Sequence, residues 1–243
     1  GTTSDIGVLV NGFPRESSKS VIVGGIETNF RMPDILSLGL GGGSIIHKDK
    51  DGQIFIGPDS VGYEITEKAK IFGGEVITAT DIAVRLGMIS LGDPNLVADI
   101  SEADAKKALA AIKKLIDDSI DQMKTSSEKV TVILVGGGSI IAPKELAGVV
   151  DVLTSEYGGV ANAIGATIAQ IGGEFEKIYP YVDIPREEAL ADATKLATEQ
   201  AVSAGAIKET VRVVEVEETP LSYAPGDTTK VKVKVVGDAS KVS

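Results

Sequence analysis

The chain opens on a glycine-and-hydroxyl turn, Gly1-Thr2-Thr3-Ser4-Asp5, that feeds straight into the apolar run Ile6-Gly7-Val8-Leu9-Val10. Two further glycine clusters follow: Gly41-Gly42-Gly43-Ser44 after the stretch 34–40, and Gly136-Gly137-Gly138-Ser139 after the apolar run 129–135. These clusters constrain the fold most, because consecutive glycines carry an entropy cost that a plain connection need not incur. Peptide dipoles converge at such turns, and the missing Cβ leaves the backbone open to an anion. A phosphate loop ordinarily follows a strand, and no strand precedes the first turn here. The chain therefore reads as half of a nucleotide-binding enzyme.

The length of 243 residues fits one large domain with a small companion. A net charge of −11 and a pI near 4.7 argue against nucleic acid as a partner, which would require clustered lysine and arginine. The lack of cysteine removes disulfides, thiolate zinc sites and a cysteine nucleophile, and fits a cytoplasmic setting. No apolar run approaches a membrane span and no charged-then-apolar leader begins the chain, although the amino terminus reads as cut. With no tryptophan and few aromatics, the rows of base-stacking platforms that hold nucleic acid do not explain the function.

Residues 5–10 read as a strand, Asn11-Gly12 as a hairpin turn, 20–24 as the return strand and 34–40 as a third, which implies an antiparallel start to a sheet. The glycine-, aspartate- and proline-rich stretch 41–100 reads as loops around short elements. Ser101 caps a helix running to Met123, and 129–135 reads as a strand buried on both faces. A short helix is expected to open at Pro143, a strand at 149–153 and a helix of small residues over 159–172. Beyond Gly173 the texture changes to an alanine-rich helix over 186–204 and alternating strands at 211–217 and 230–236 around the turn Pro225-Gly226-Asp227.

That order of strand, hairpin strand, strand, helix, strand, helix resembles the ribonuclease-H-like unit used in each lobe of actin-like kinases and ATPases. The matching stretches GTTSDIGVLVNGFPR (1–15), DILSLGLGGGSI (34–45), GPDSVGYE (57–64), FGGEVITATDIAVRLG (72–87), VILVGGGSIIAP (132–143) and ANAIGATIAQIGGE (161–174) are together similar to the hydantoinase A/5-oxoprolinase family. The resemblance covers residues 1–174. It implies an α/β fold, a ribonuclease-H-like lobe over 1–174 with a mixed sheet flanked by helices, while the change of texture beyond Gly173 marks a small C-terminal α+β subdomain over 175–243. It further implies ATP and Mg2+ as cofactors, a cyclic amide such as a hydantoin or 5-oxoproline as substrate, and a separate N-terminal lobe, with a second subunit as a further partner. The longer Gly-Pro-rich continuation common in the family is absent after Gly62.

On this reading Gly1, Thr2, Thr3 and Ser4 hold phosphate, and Gly136, Gly137, Gly138 and Ser139 receive the adenosine. Asp5, beside the phosphates, is the catalytic and magnesium-orienting carboxylate, since magnesium prefers oxygen ligands and keeps much of its water. Gly41, Gly42, Gly43 and Ser44 form a backbone-lined substrate site. Asp81, at the start of an apolar helical stretch after Thr78-Ala79-Thr80, either caps that helix or lines a cleft as a second catalytic acid. His47, the only histidine, stands among Lys48, Asp49, Lys50 and Asp51, a setting that suggests a solvated hairpin tip. Two rival functions stay open: a nucleotide-dependent regulatory or assembly protein of actin-like fold, and an ATP-dependent carboxylase subunit.

Overall fold

The structure, a computed structural model, describes residues 1–10, 12–17, 21–23, 26–28, 32–167, 169–222 and 226–240, with only the backbone described at 21–23, 27–28 and 166–167. Its elements run β1 (Ser4–Gly7), β2 (Leu9–Val10), β3 (Phe13–Pro14), β4 (Val21–Val23), β5 (Ile26–Thr28), β6 (Ile35–Leu38), β7 (Ser44–Lys48), β8 (Ile54–Ser60), α1 (Ile65–Lys68), α2 (Ala79–Arg85), α3 (Glu102–Met123), β9 (Val130–Leu134), β10 (Val149–Thr154), α4 (Ala161–Thr167), β11 (Gln170–Pro180), α5 (Arg186–Ser203), β12 (Arg212–Pro220) and β13 (Thr228–Asp238). The fold is mixed α/β, in two compact units, Gly1–Ala161 and Asn162–Ser243. The boundary expected at Glu174 lies inside β11.

In the first unit β1 pairs antiparallel with β6, Asp5 opposite Ser37. The antiparallel start thus holds, with a different hairpin. The return strand after Gly12 is Phe13–Pro14 rather than 20–24, and β4 pairs with β5 instead. Asn11, Ser20 and Gly24 lie outside the described residues. A two-residue turn leaves no length for a distant partner, so the strand nearest in sequence takes the pairing.

Helix α3 forms as the capping pattern requires: the Ser101 Oγ accepts the Asp104 amide at 3.0 Å. Its Ala105, Ala108 and Ile112 recur at helical spacing and are fully buried. Ala105 and Ala108 pack with Ile82 and Val84 of α2, and Ile112 packs with Leu40, Ala79, Ala83 and Ile141. Arg15 ties the β1–β6 region to this helix, pairing with Asp34 and donating to the Met123 carbonyl at 3.0 Å, where a cation also complements the helix dipole.

Strand β9 pairs in parallel with β10, Leu134 beside Thr154. It is not buried on both faces: Ile133 and Val135, just past its end, are each 56% exposed, because among the described residues these two strands pair only with each other and one face is uncovered. No helix opens at Pro143. A 3-10 turn (Gly137–Ile141) comes before it, and the chain then returns without regular structure, the Ala147 amide donating to Asp117 and the Gly148 carbonyl accepting Val130 N.

In the second unit the sheet order is β11-β13-β12, antiparallel throughout. Ala189, Ala193, Ala197 and Ala201, four apart on α5, are all fully buried against Val231, Val233 and Val235 of the central strand. Small side chains let helix and sheet approach closely, and Gly173 is the contact point: a Cβ there would lie 2.1 Å from the Ala197 carbonyl oxygen. The intervening Lys230, Lys232 and Lys234 face the other side and pair with Glu176, Glu174 and Glu215 at 3.1–3.6 Å. The small-residue helix expected over 159–172 is cut to α4, since β11 begins at Gln170. Of the expected turn, Pro225 lies outside the described residues. Among the described residues no helix is long and apolar enough to cross a membrane.

Candidate functional site

The first two glycine clusters meet. A Cβ on Gly41 would stand 2.0 Å from the Gly1 carbonyl oxygen and 3.2 Å from the Thr2 carbonyl carbon, so only glycine permits this contact. Ser4 locks it, its Oγ donating to the Leu40 carbonyl at 2.7 Å, which commits that hydroxyl proton to the scaffold. Gly1, Thr2 and Thr3 are exposed, whereas residues 41–44 are buried. Asp5 is exposed and accepts the Ser37 hydroxyl at 2.5 Å across the strand pair.

The buried turn is held on every side. Ser44 Oγ accepts the Gly41 amide at 2.9 Å, and Ser44 N donates back to the Gly41 carbonyl. The Gly42 carbonyl takes both the amide (3.0 Å) and the hydroxyl (2.9 Å) of Thr80, and the Gly43 carbonyl takes Val61 N. The amides of Gly42 and Gly43 have no acceptor among the described residues. Buried peptide N–H groups are almost always paired, so these two donors stand out in the turn.

The third cluster forms a separate corner. Gly136 adopts φ 85°, ψ 163°, and its amide donates to the Gly158 carbonyl at 2.7 Å, joining the ends of β9 and β10. A Cβ at Gly136, Gly137 or Gly138 would meet nothing within 4 Å, so the backbone borders open space. The 3-10 turn that holds Ser139 continues to Ile141, which packs with Leu40, the residue before Gly41, and with Ala79 and Ala83. Both corners therefore rise from one core cluster.

Asp81 is fully buried. One oxygen accepts Ile71 N at 2.5 Å, the other Thr78 N at 2.6 Å and the Thr78 hydroxyl at 2.7 Å. Of the two roles the sequence left open, this geometry is the cap, and it pins the 3-10 turn Lys70–Phe72 to the start of α2. His47 is not at a hairpin tip. It lies on β7, its ring stacked on Phe55 at 5.0 Å, with Nε2 2.6 Å from the Asp59 Oδ1. That bond holds the Asp59 carboxyl below its usual value. The tip itself is built by Asp49, which accepts the amides of Asp51 and Gln53. Sequence reasoning named Thr80 and Ser60 within other motifs and passed over Gly158; only the fold brings the three to the glycine turns. Among the described residues no group of three metal-ligating side chains assembles, which leaves Asp5 as a lone carboxylate beside the first turn.

Residues 1–97 match the pattern of the Hydantoinase/oxoprolinase family. No curated protein matches the sequence. Among solved structures, the chain is similar to nucleotide-free acetone carboxylase, an enzyme of ATP-dependent acetone carboxylation, at a TM-score of 0.57 and 18% identity over 99% of this chain and 46% of that one. It is likewise similar to the ATP-dependent caprolactamase of Pseudomonas jessenii, at a TM-score of 0.59 and 17% identity over 98% of this chain and 45% of that one. The chain spans less than half the length of either enzyme. The resemblance read from the motifs is borne out over residues 1–97, which match the hydantoinase/oxoprolinase pattern, and the mixed α/β framework is similar to that of these two enzymes.

Proposed function

We propose that this chain is the ribonuclease-H-like, nucleotide-holding lobe of an ATP-dependent enzyme that opens a cyclic amide, working with a second lobe that supplies the opposite wall. The observation that carries the reading is the common footing of the glycine corners: Leu40 and Ile141 belong to one buried cluster, so the turn beside Gly1–Thr3 and the turn after β9 are fixed relative to each other. A nucleotide needs such a fixed pair of corners, one for its phosphates and one for its base.

In this assignment the exposed backbone of Gly1, Thr2 and Thr3 receives phosphate, and Gly136–Gly138 face the adenosine. The donor set fits the anion, because exposed amides and hydroxyls at a turn without Cβ groups supply hydrogen bonds at close approach. Asp5 would hold Mg2+ through its water shell, and the ion's chemistry there is neutralisation of phosphate charge. The free amides of Gly42 and Gly43 suit the amide oxygen of the ring, which becomes an acceptor of phosphate when ATP activates the bond. Donors fixed in advance, away from water, stabilise charge on such an oxygen without reorganising.

The caprolactamase acts on a lactam by its name, in line with this reading. The likeness to acetone carboxylase favours a second one, a carboxylase subunit on the same framework. One assay separates them. The protein with both lobes is given ATP, Mg2+ and a panel of cyclic amides while phosphate release is followed. Release stimulated by an amide supports the hydrolase, dependence on bicarbonate supports the carboxylase, and indifference to both refutes the enzyme reading in favour of a regulatory or assembly role.

A further inference from the structure

The corner after β9 has a second wall that no sequence motif marks. Parallel strands end side by side, and open α/β sheets bind ligands at that carboxyl edge. The segment after β10 folds back over it as a tight turn: Ser155 Oγ accepts the Tyr157 amide at 3.2 Å, Ser155 O accepts Gly158 N at 2.9 Å, and Tyr157 O accepts Val160 N at 3.0 Å. The turn is stitched to the other strand end by the bond from Gly136 N to Gly158 O, and Gly158 sits against the Leu134 carbonyl. Around this junction the floor has no Cβ to fill it, since Gly136, Gly137, Gly138 and Gly159 all face open space. The rim is apolar and outward: Val135 is 56% exposed, Tyr157 60% and Val160 54%. A bare backbone floor beneath an aromatic and two branched aliphatics is the lining of a site for a flat, largely apolar group.

We propose that Tyr157 is the platform on which the base of the nucleotide stacks, with Gly136–Gly138 as the facing wall. This rests on the nucleotide reading above and adds to it a specific residue in the turn after β10. The turn hydrogen bonds fix the Tyr157 backbone beside the glycine corner, and its side chain is exposed there. Stacking uses the π-face that every base offers, so the ring rather than the hydroxyl does the holding.

The test is titration calorimetry of the protein with both lobes, using ATP and inorganic tripolyphosphate as separate probes. Tyr157→Ala should weaken ATP about 5- to 150-fold, the range of one lost stacking contact. It should leave tripolyphosphate unchanged, and Tyr157→Phe should bind ATP as the wild type does. If wild-type protein prefers ATP to tripolyphosphate and Tyr157→Ala keeps that preference, the base is held elsewhere and the inference is overturned while the nucleotide reading survives. Equal weakening of both probes in Tyr157→Ala marks a disturbed turn and also counts against the platform. If wild-type protein binds neither probe, the nucleotide reading fails and takes this inference with it.

Discussion

Replacing Asp81 with alanine discriminates between the scaffold and the chemistry of this fold. The carboxylate is fully buried and is the acceptor for two backbone amides, Ile71 N and Thr78 N, and for the Thr78 hydroxyl. The hydroxyl can turn to another acceptor; the amides cannot. A buried donor left without a partner costs about 1–3 kcal/mol, so the two together cost about 2–6 kcal/mol. A domain has only about 5–15 kcal/mol in total, so Asp81→Ala should bring the first unit close to its folding limit. Asp81→Asn keeps one acceptor oxygen and turns an NH2 group towards a donor, so its loss should lie between alanine and wild type. Urea unfolding followed by hydrogen exchange of peptides covering residues 69–85 reads the effect at its source. If Asp81→Ala keeps wild-type exchange and unfolding midpoint yet abolishes turnover, the capping argument is wrong and Asp81 is a catalytic acid.

The glycine corners make opposite predictions. A Cβ on Gly43 would sit 2.9 Å from Ser60 Oγ and 3.2 Å from Val61 Cγ2, so Gly43→Ala should cost about 1–3 kcal/mol of stability in a thermal melt. Gly137→Ala meets nothing within 4 Å and should melt as wild type does, while its methyl group intrudes on the crevice and lowers ATP affinity. In the second unit, Gly173→Ala would push a methyl group to 2.1 Å from the Ala197 carbonyl and 2.7 Å from the Ala201 amide, both helix backbone with no rotamer to relieve them. A loss of about 3 kcal/mol is expected, read by denaturant unfolding of that unit. Tyr179 and Tyr181 are pushed up to about 12, first by burial and then by donating to Asp192 and Glu218. Between the ordinary tyrosine value of 10.0 and about 12 the folded chain keeps protons that the unfolded chain releases. Stability should therefore fall as pH rises through that window. Tyrosinate absorbance should then show these two hydroxyls ionising late, and simple titration of every tyrosine near its ordinary value would contradict the burial argument.

The elements that could be read from the sequence are those whose cause is local. Ser101 three residues before Asp104, with alanines and isoleucines at helical spacing, specifies α3 without help from the rest of the chain. The alternation over β12 and β13 is likewise a property of each strand, and the two faces of β13 become a valine side and a lysine side. Pairing was not legible. Residues 20–24 carry a strand pattern, yet nothing in them says that their neighbour is β5 rather than β1. Exposure of β9 was missed for a related reason, since an apolar run without alternation reads as buried whether or not a second layer covers it. At the candidate site the glycines stand out in sequence, while their neighbours Thr80, Ser60 and Gly158 come from segments 17 to 38 residues away and are joined to them only by the fold. Asp81 shows the limit from the other side: a hydroxyl-rich helix start with an acid fits both a cap and a cleft, and only the three donors around the carboxylate separate the two.

The most direct measurement is a crystal structure of the protein with both lobes, grown with Mg2+ and a non-hydrolysable ATP analogue. The account predicts one nucleotide spanning both corners, its phosphates hydrogen-bonded to main-chain amides among Gly1, Thr2 and Thr3 and its base lying along Gly136–Gly138. A nucleotide bound with either corner empty, or bound away from both, would contradict it.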